Sequence, residues 1–389
     1  MTSHKRLFAR TLNAAPGRLH FCAHSHHLWP DASYDGHMQA WDDAARLTDK
    51  KWERIFGEVL PEAQAHVARE LNLPDPHTIA FAPSTHELLV RLFSAKAASG
   101  PLDVLTTDGE FHSFRRQSAR WEEDGRIRRR VVACEPFETF NGRFLAAAKQ
   151  QPADIIFVSA VMFKSGLRFD GASELAKLAR ADGTWVVLDL YHSFMALPSD
   201  FSGVAANTFL IGGGYKYAMA GEGAAYMHAP PGYAPRPSNT GWFAEFSKLE
   251  AKQSGVGYSE DGMRFMGATY DATGLYRFNA VRRMLDAEKL STDAICQKLW
   301  PLRADLARRI ASGEAGKLAE AEILGPNRSG PEPRFIALKH PDAVAWRAKL
   351  LAADIITDAR DDILRIGLGL YHDAEDIPAF CAAAKKALG

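Results

Sequence analysis

Residues 185–192 read Trp185-Val186-Val187-Leu188-Asp189-Leu190-Tyr191-His192, and residues 209–217 read Phe209-Leu210-Ile211-Gly212-Gly213-Gly214-Tyr215-Lys216-Tyr217. Each is a short apolar run that ends abruptly at residues able to carry chemistry. Strands that are apolar on both faces belong to a parallel sheet covered on both sides, since neither face meets water. Further short apolar runs occur at residues 78–82, 102–106, 127–133 and 155–161, and several of the runs are apolar on both faces. Helical stretches at about 87–97 and 173–180 fit as crossovers. Strands alternating with helices predict an α/β domain with a mostly parallel sheet. Sites in such sheets lie beyond the carboxyl ends of the strands. Asp189 and Lys216 both fall there.

Further out, residues 31–71 carry Trp41, Ala45, Trp52, Ile55, Phe56, Val59 and Val67 near helical spacing, with charges between them. The break Leu73-Pro74-Asp75-Pro76 separates this segment from the first strand. Past about residue 275 come long helices at 275–290 and 295–309, then short strands at 322–324, 334–338 and 363–366, and a closing helix at 373–387. Three parts are expected. Residues 1–60 form an N-terminal segment packing on the small domain, residues 61–270 a large α/β domain, and residues 271–389 a small α+β domain.

The chain has 389 residues and 47% hydrophobic content, enough for one large domain and a smaller one. Lys+Arg and Asp+Glu are both 47, a formal charge of zero that argues against a nucleic-acid partner. No apolar run approaches the roughly 18 residues of a membrane span. The start of the chain, with Lys5, Arg6 and Arg10, lacks the apolar segment of a secretory signal, so a cytoplasmic protein is expected. Cys22, Cys134, Cys296 and Cys381 are too scattered for a disulfide scaffold or a four-cysteine zinc site. His24, His26 and His27 have no supporting acid or cysteine spacing, so no metal site is expected.

A lysine preceded by three glycines sits where backbone and ligand approach closely. If buried, Lys216 loses solvation, its pKa falls, and the amine becomes a nucleophile able to form a Schiff base. If exposed, it is one more solvated charge. Asp189 reads either as a strand-end turn residue or as an acid that keeps a pyridine nitrogen protonated. His192 can reach the same ligand. The interval 216 − 189 = 27 residues suits one loop and the next strand. Ser84 and Thr85 open a helix, either as plain caps or as an anion site of N–H groups and hydroxyls. Phe111, in Glu110-Phe111-His112, supplies an aromatic face at another strand end. Arg365, inside an apolar strand, is either a carboxylate clamp or the partner of an acid such as Asp361 or Asp362.

These residues meet five requirements of one cofactor site in chain order. On them the sequence resembles the class V (aminotransferase) branch of fold-type-I pyridoxal-phosphate enzymes, and within it is similar to kynureninase. The resemblance rests on Asp189-Leu190-Tyr191-His192, Tyr215-Lys216-Tyr217 and Ala220-Gly221-Glu222-Gly223. Gly241-Trp242-Phe243, Leu364-Arg365-Ile366-Gly367, Leu370-Tyr371 and Glu375-Asp376 extend it over residues 20–380.

It implies the fold-type-I transferase architecture and pyridoxal 5'-phosphate bound as a Schiff base on Lys216. By the same resemblance Asp189 pairs with the ring nitrogen, and His192 lies near the ring oxygen or that aspartate. Tyr215, Ser84 and Thr85 hold the phosphate, Phe111 stacks on the ring, and Arg365 binds the substrate α-carboxylate. Trp242 and Gly267-Ala268-Thr269 reach the phosphate from a second subunit of a homodimer with shared sites. His24-Ser25-His26 faces substrate where the family has Asn-Ser, making Ser25 a substrate contact and His24 or His26 the general base, with His112 a third candidate.

The implied activity is hydrolysis of the Cβ–Cγ bond of kynurenine or a related amino acid, giving anthranilate and alanine. The alternative is a class V aminotransferase or lyase acting on another amino acid. Two departures stand out: Phe111-His112-Ser113-Phe114 replaces the family's Phe-Pro-Thr-Asp, and Met162-Phe163 replaces its Asn-Tyr. Desulfurase chemistry needs a cysteine ahead of the carboxylate-binding arginine, and residues 341–365 contain none.

Overall fold

The computed structural model describes residues 2–96, 99–248, 255–326 and 330–389. A two-residue strand, β1 (Leu19–His20), precedes a long helical run. The periodicity of residues 31–71 predicts one helix, and the structure breaks it into pieces. Helix Asp31–Leu47 ends where Thr48 adopts a positive φ of 52°, and a π-turn at Ile55–Val59 interrupts the run again before helix Leu60–Leu71. Asn72, left-handed at φ 54°, closes the run just ahead of Pro74, which cannot continue a helix.

Seven strands then form the main sheet: β2 (Ile79–Ala82), β3 (Leu102–Thr107), β4 (Ile127–Val132), β5 (Ile155–Ser159), β6 (Trp185–Asp189), β7 (Thr208–Gly213) and β8 (Ala225–His228). Their order is β2-β8-β7-β6-β5-β3-β4. Only β8 runs against its neighbours. Every residue of β2, β5, β7 and β8 is buried, as a sheet covered on both faces requires. β4, on the edge, instead carries Arg128, Arg129 and Arg130, charges that discourage pairing with another chain. Helices Thr85–Ala95, His112–Glu123 and Phe137–Gln150 make the crossovers. Ala97, expected to end the first of these, lies outside the described residues. The helix expected at 173–180 shrinks to Ala172–Ala176.

Helices Thr273–Ala287 and Thr292–Ala311 lead into β9 (Glu322–Leu324), β10 (Phe335–Lys339), β11 (Ile355–Ile356), β12 (Asp358–Arg360) and β13 (Ile363–Gly367). Four of these make an antiparallel sheet in the order β12-β13-β10-β9, while β11 pairs in parallel with β1 through Leu19–Ile355 and His20–Ile356. A further bridge joins Cys22 to Gly367. The N-terminal segment is therefore stitched to the C-terminal sheet, and residues 21–27 run from it towards the carboxyl edge of the large one. His27 N–H donates to Tyr215 O at 3.2 Å, beside Lys216. Among the described residues no helix is long and apolar enough to cross a membrane.

Candidate active site

The parallel strands β5, β6 and β7 end side by side. Ser159 pairs in register with Asp189, and Asp189 with Ile211. β7 runs two residues further than its apolar pattern suggests, taking in Gly212 and Gly213. Glycine is needed there because tyrosine rings lie against the backbone: a Cβ at Gly212 would come within 2.6 Å of the Tyr226 hydroxyl, and one at Gly213 would strike Tyr191. The chain then turns and buries Lys216, which is only 3% exposed.

Lys216 Nζ lies 3.0 Å from His192 Nε2, 5.0 Å from the centre of the Phe111 ring and 4.8 Å from that of Tyr191. Its pKa is pushed down to about 7, first by burial and then by the Arg365 guanidinium, against the pull of Asp189. An amine so placed is substantially neutral at neutral pH. His192 is held well below the usual imidazole range, by burial first and then by Lys216, and stays neutral. Asp189 accepts from Tyr191 N–H at 2.8 Å, and burial raises its pKa although part of its surface stays accessible.

Ser84 caps helix Thr85–Ala95, its hydroxyl accepting from Glu87 N–H at 3.5 Å, so Thr85 and Ser84 stand where an anion finds unpaired N–H groups. Tyr215 packs tilted against Tyr191 at 4.7 Å and stacks on His26 at 5.1 Å. The three histidines expected to face substrate part company. The His26 side chain is exposed at 68%, with Nε2 3.9 Å from Glu222 and Nδ1 3.3 Å from Ser25 Oγ. His112 is exposed, its ring 5.2 Å from that of Phe163. His24 is fully buried against Phe335 at 5.0 Å, and neither ring nitrogen has a hydrogen-bond partner among the described residues. Burial first, then Arg365 and Lys216, holds it neutral.

Arg365, only 2% exposed, donates to Phe163 O and pairs with Asp358, its register partner on β12. Of the two acids adjacent in sequence, Asp361 pairs instead with Lys164 at 2.8 Å. Sequence proximity misleads because Asp361 and Asp362 lie in the turn between β12 and β13, with Asp361 left-handed at φ 53°, whereas Asp358 stands across the ladder from Arg365. Trp242 Nε1 donates to Thr269 Oγ1 at 3.1 Å within the same chain, and both residues are exposed or nearly so.

Glu110 carries a role that sequence reasoning does not find. It is 1% exposed and accepts from Thr107 Oγ1 at 2.7 Å, Ser159 Oγ at 2.5 Å and Ser159 N–H at 3.2 Å, locking the end of β3 to the end of β5 next to Asp189. The one signal for it is an acid directly after a buried strand, which also describes many ordinary turns. Burial pushes its pKa from 4.5 up to about 8, opposed by the hydroxyl bonds and reinforced by Asp189. Between these values the folded chain keeps a proton that the unfolded chain has released, so stability falls as pH rises through the window. Glu110→Gln is therefore expected to gain on the wild type as pH is raised from about 5 to about 8, its Tm advantage growing by about 2 °C or more. A Tm difference that stays flat over that range would show that Glu110 is ionised in the fold.

No protein-family model matches the chain. A Bacillus subtilis (strain 168) protein named as the uncharacterized aminotransferase YcbU is 22% identical over 314 residues, covering 78% of this chain and 77% of its own. Among solved structures, a mutant of C-DES with glycine covalently linked to its PLP cofactor superposes with a TM-score of 0.79 at 15% identity, covering 99% of both chains. The cystine C-S lyase C-DES with its product cysteine persulfide gives 0.77 at 17% identity over 96% of this chain and 99% of that one. The apo cysteine desulfurase of Thermococcus onnurineus NA1 gives 0.75 at 15% identity over 99% and 98%. The chain has the fold-type-I architecture of these proteins: a large α/β domain with a mostly parallel sheet, and a smaller α+β part.

Proposed function

We propose that the chain is a pyridoxal-phosphate-dependent enzyme of the class V type acting on an amino acid, as an aminotransferase or lyase. One observation carries this reading: a buried lysine amine, held neutral in part, sits at the carboxyl edge of the sheet with a desolvated carboxyl at the neighbouring strand end and an aromatic ring 5.0 Å away. The donor set fits the cofactor. Lys216 would hold its aldehyde, Asp189 its ring nitrogen, Phe111 one ring face, and Ser84 with Thr85 and Tyr215 its phosphate. Bound there, the group would supply an electron sink for the pair left when a bond to the substrate α-carbon breaks. Lys216 Nζ, with its depressed pKa, is suited to taking a proton from that carbon and returning it. His192 takes part by fixing Nζ, and the surrounding apolar rings exclude water.

The uncharacterized aminotransferase and the C-S lyase among the similar proteins favour this reading over kynurenine hydrolysis. The four cysteines are all buried, and Cys22, which feels the Arg365 charge, has its thiol pushed up to about 12, chiefly by burial. None is poised as the nucleophile of a desulfurase. One observation favours hydrolysis as a second reading: His24, neutral and unpartnered, lies within electrostatic reach of Lys216 and Arg365, as a general base would. The exposed pair Trp242 and Thr269 suits a homodimer in which each completes the partner's phosphate site.

Product analysis decides among these. Keto-acid formation only in the presence of a second keto acid marks an aminotransferase, and ammonia with pyruvate or a released side-chain fragment marks a lyase. Anthranilate plus alanine from kynurenine would displace both in favour of hydrolysis. Inactivity on all panels with bound cofactor would overturn the amino-acid assignment.

A further inference from the structure

Two guanidinium groups share one carboxylate beside Lys216. Asp358, Arg360, Ile363 and Arg365 project from one face of the β12–β13 hairpin, because Asp358 is paired with Arg365 and Arg360 with Ile363. That face is turned to the large domain, where Arg365 meets the Phe163 carbonyl and lies 5.5 Å from its ring. Asp358 divides its oxygens, Oδ1 pairing with Arg360 at 2.9 Å and Oδ2 with Arg365. Two cations against one anion leave a net positive charge here, with Arg365 enclosed and the Arg360 side chain 36% exposed. Such a charge is costly unless something completes it. Both Nε atoms, of Arg360 and of Arg365, are buried and have no hydrogen-bond partner among the described residues. The other charged pair at this rim, Lys164 with Asp361, is already balanced. The charges of Arg365 and Arg360 are both felt at Lys216 and at His24.

We propose that Arg360 and Arg365, bridged by Asp358, recognise an amino acid that carries a second carboxylate on its side chain. Arg365 takes the α-carboxylate, and Arg360, further along the same face of the hairpin, takes the distal one. This rests on the amino-acid reading above and narrows it to acidic substrates. A planar guanidinium suits a carboxylate bidentately, and charge-assisted bonds of this kind are the strong ones. Phe163 offers a distal group only its ring face and a carbonyl already taken by Arg365. That makes Arg360 the discriminating contact.

The test uses unreactive probes on the cofactor-loaded protein: succinate and glutarate against butyrate, read by calorimetry and by the change each causes in the cofactor absorbance. The wild type should bind a dicarboxylate about tenfold or more tighter than butyrate, the span of one charge-assisted contact. Arg360→Gln should remove that preference while leaving butyrate affinity in place, and should raise KM for aspartate or glutamate about tenfold with kcat little changed. Equal binding of the three probes by the wild type would overturn the proposal. So would an Arg360→Gln variant that weakens all three alike, since that marks Arg360 as a brace for Asp358. A protein that takes up no pyridoxal phosphate at all would overturn the underlying enzyme reading along with it. Loaded protein without a dicarboxylate preference would overturn this inference alone.

Discussion

Lys216→Ala should abolish the Schiff-base absorbance of the cofactor-loaded protein and lower turnover by at least about a thousandfold, within the range ascribed to a positioned acid–base group and more once its covalent role is lost. The fold should survive. Lys216 touches the rest of the protein through His192 Nε2 at 3.0 Å and through ring faces, and among the described residues no carboxylate is paired with it. Removing a buried amine whose pKa has been driven down to about 7 deletes a desolvated group rather than a structural ion pair. The Tm should therefore stay within a few degrees of the wild type. In the wild type, borohydride should bleach the absorbance and fix the cofactor to the peptide that contains Lys216. Absorbance or turnover close to wild type in Lys216→Ala would move the chemistry to another amine.

Much of this site is legible in the sequence because its members sit at the ends of strongly apolar strands. The runs before Asp189 and Lys216 place both at one edge without any knowledge of their packing, and the structure brings them to adjacent strand ends. The crossover topology follows from the same pattern. The features that escape the sequence are those that depend on pairing across the chain. β8 is four residues long and antiparallel, and Ala225–His228 carries no mark of direction. β11 and β12 have two and three residues, too few for any periodicity to show. The partner of Arg365 is a matter of ladder register, set only once β12 folds back on β13, so its sequence neighbours are the wrong candidates. The split between His24 and His26 has the same origin. Both sit in one histidine-rich segment, but the bridge from Cys22 to Gly367 turns His24 inward and leaves His26 at the surface. Glu110 escapes notice because its carboxyl gains meaning only when Ser159 of another strand closes over it.

Asp189 offers the sharper test of the electronics. Asp189→Asn should cut kcat by about a hundredfold or more, the scale found when a charge-stabilising partner is removed from a preorganised site. The substitution is nearly isosteric, and its side-chain carbonyl can still accept from Tyr191 N–H, the bond that Asp189 Oδ1 makes at 2.8 Å. The turn at the end of β6 is thus preserved while the charge is lost. Asp189→Ala removes both, so it should show the same loss of rate together with a lower Tm. The charge itself is conditional. Burial raises the Asp189 pKa, and a second buried carboxyl, Glu110, stands within electrostatic reach. Two carboxylates that feel each other's charge resist ionising together. Glu110, pushed up to about 8, keeps its proton at neutral pH, which leaves Asp189 as the group free to ionise. A cationic ring nitrogen opposite Asp189 would then draw its pKa down, and the pair would hold each other charged. Raising the pH past about 8 should ionise Glu110 and strengthen the negative field on that nitrogen, so the cofactor absorbance of the wild type should shift there. In Glu110→Gln that shift should vanish while the loss caused by Asp189→Asn remains. Near-normal kcat in Asp189→Asn would mean that the carboxylate serves the strand-end turn alone.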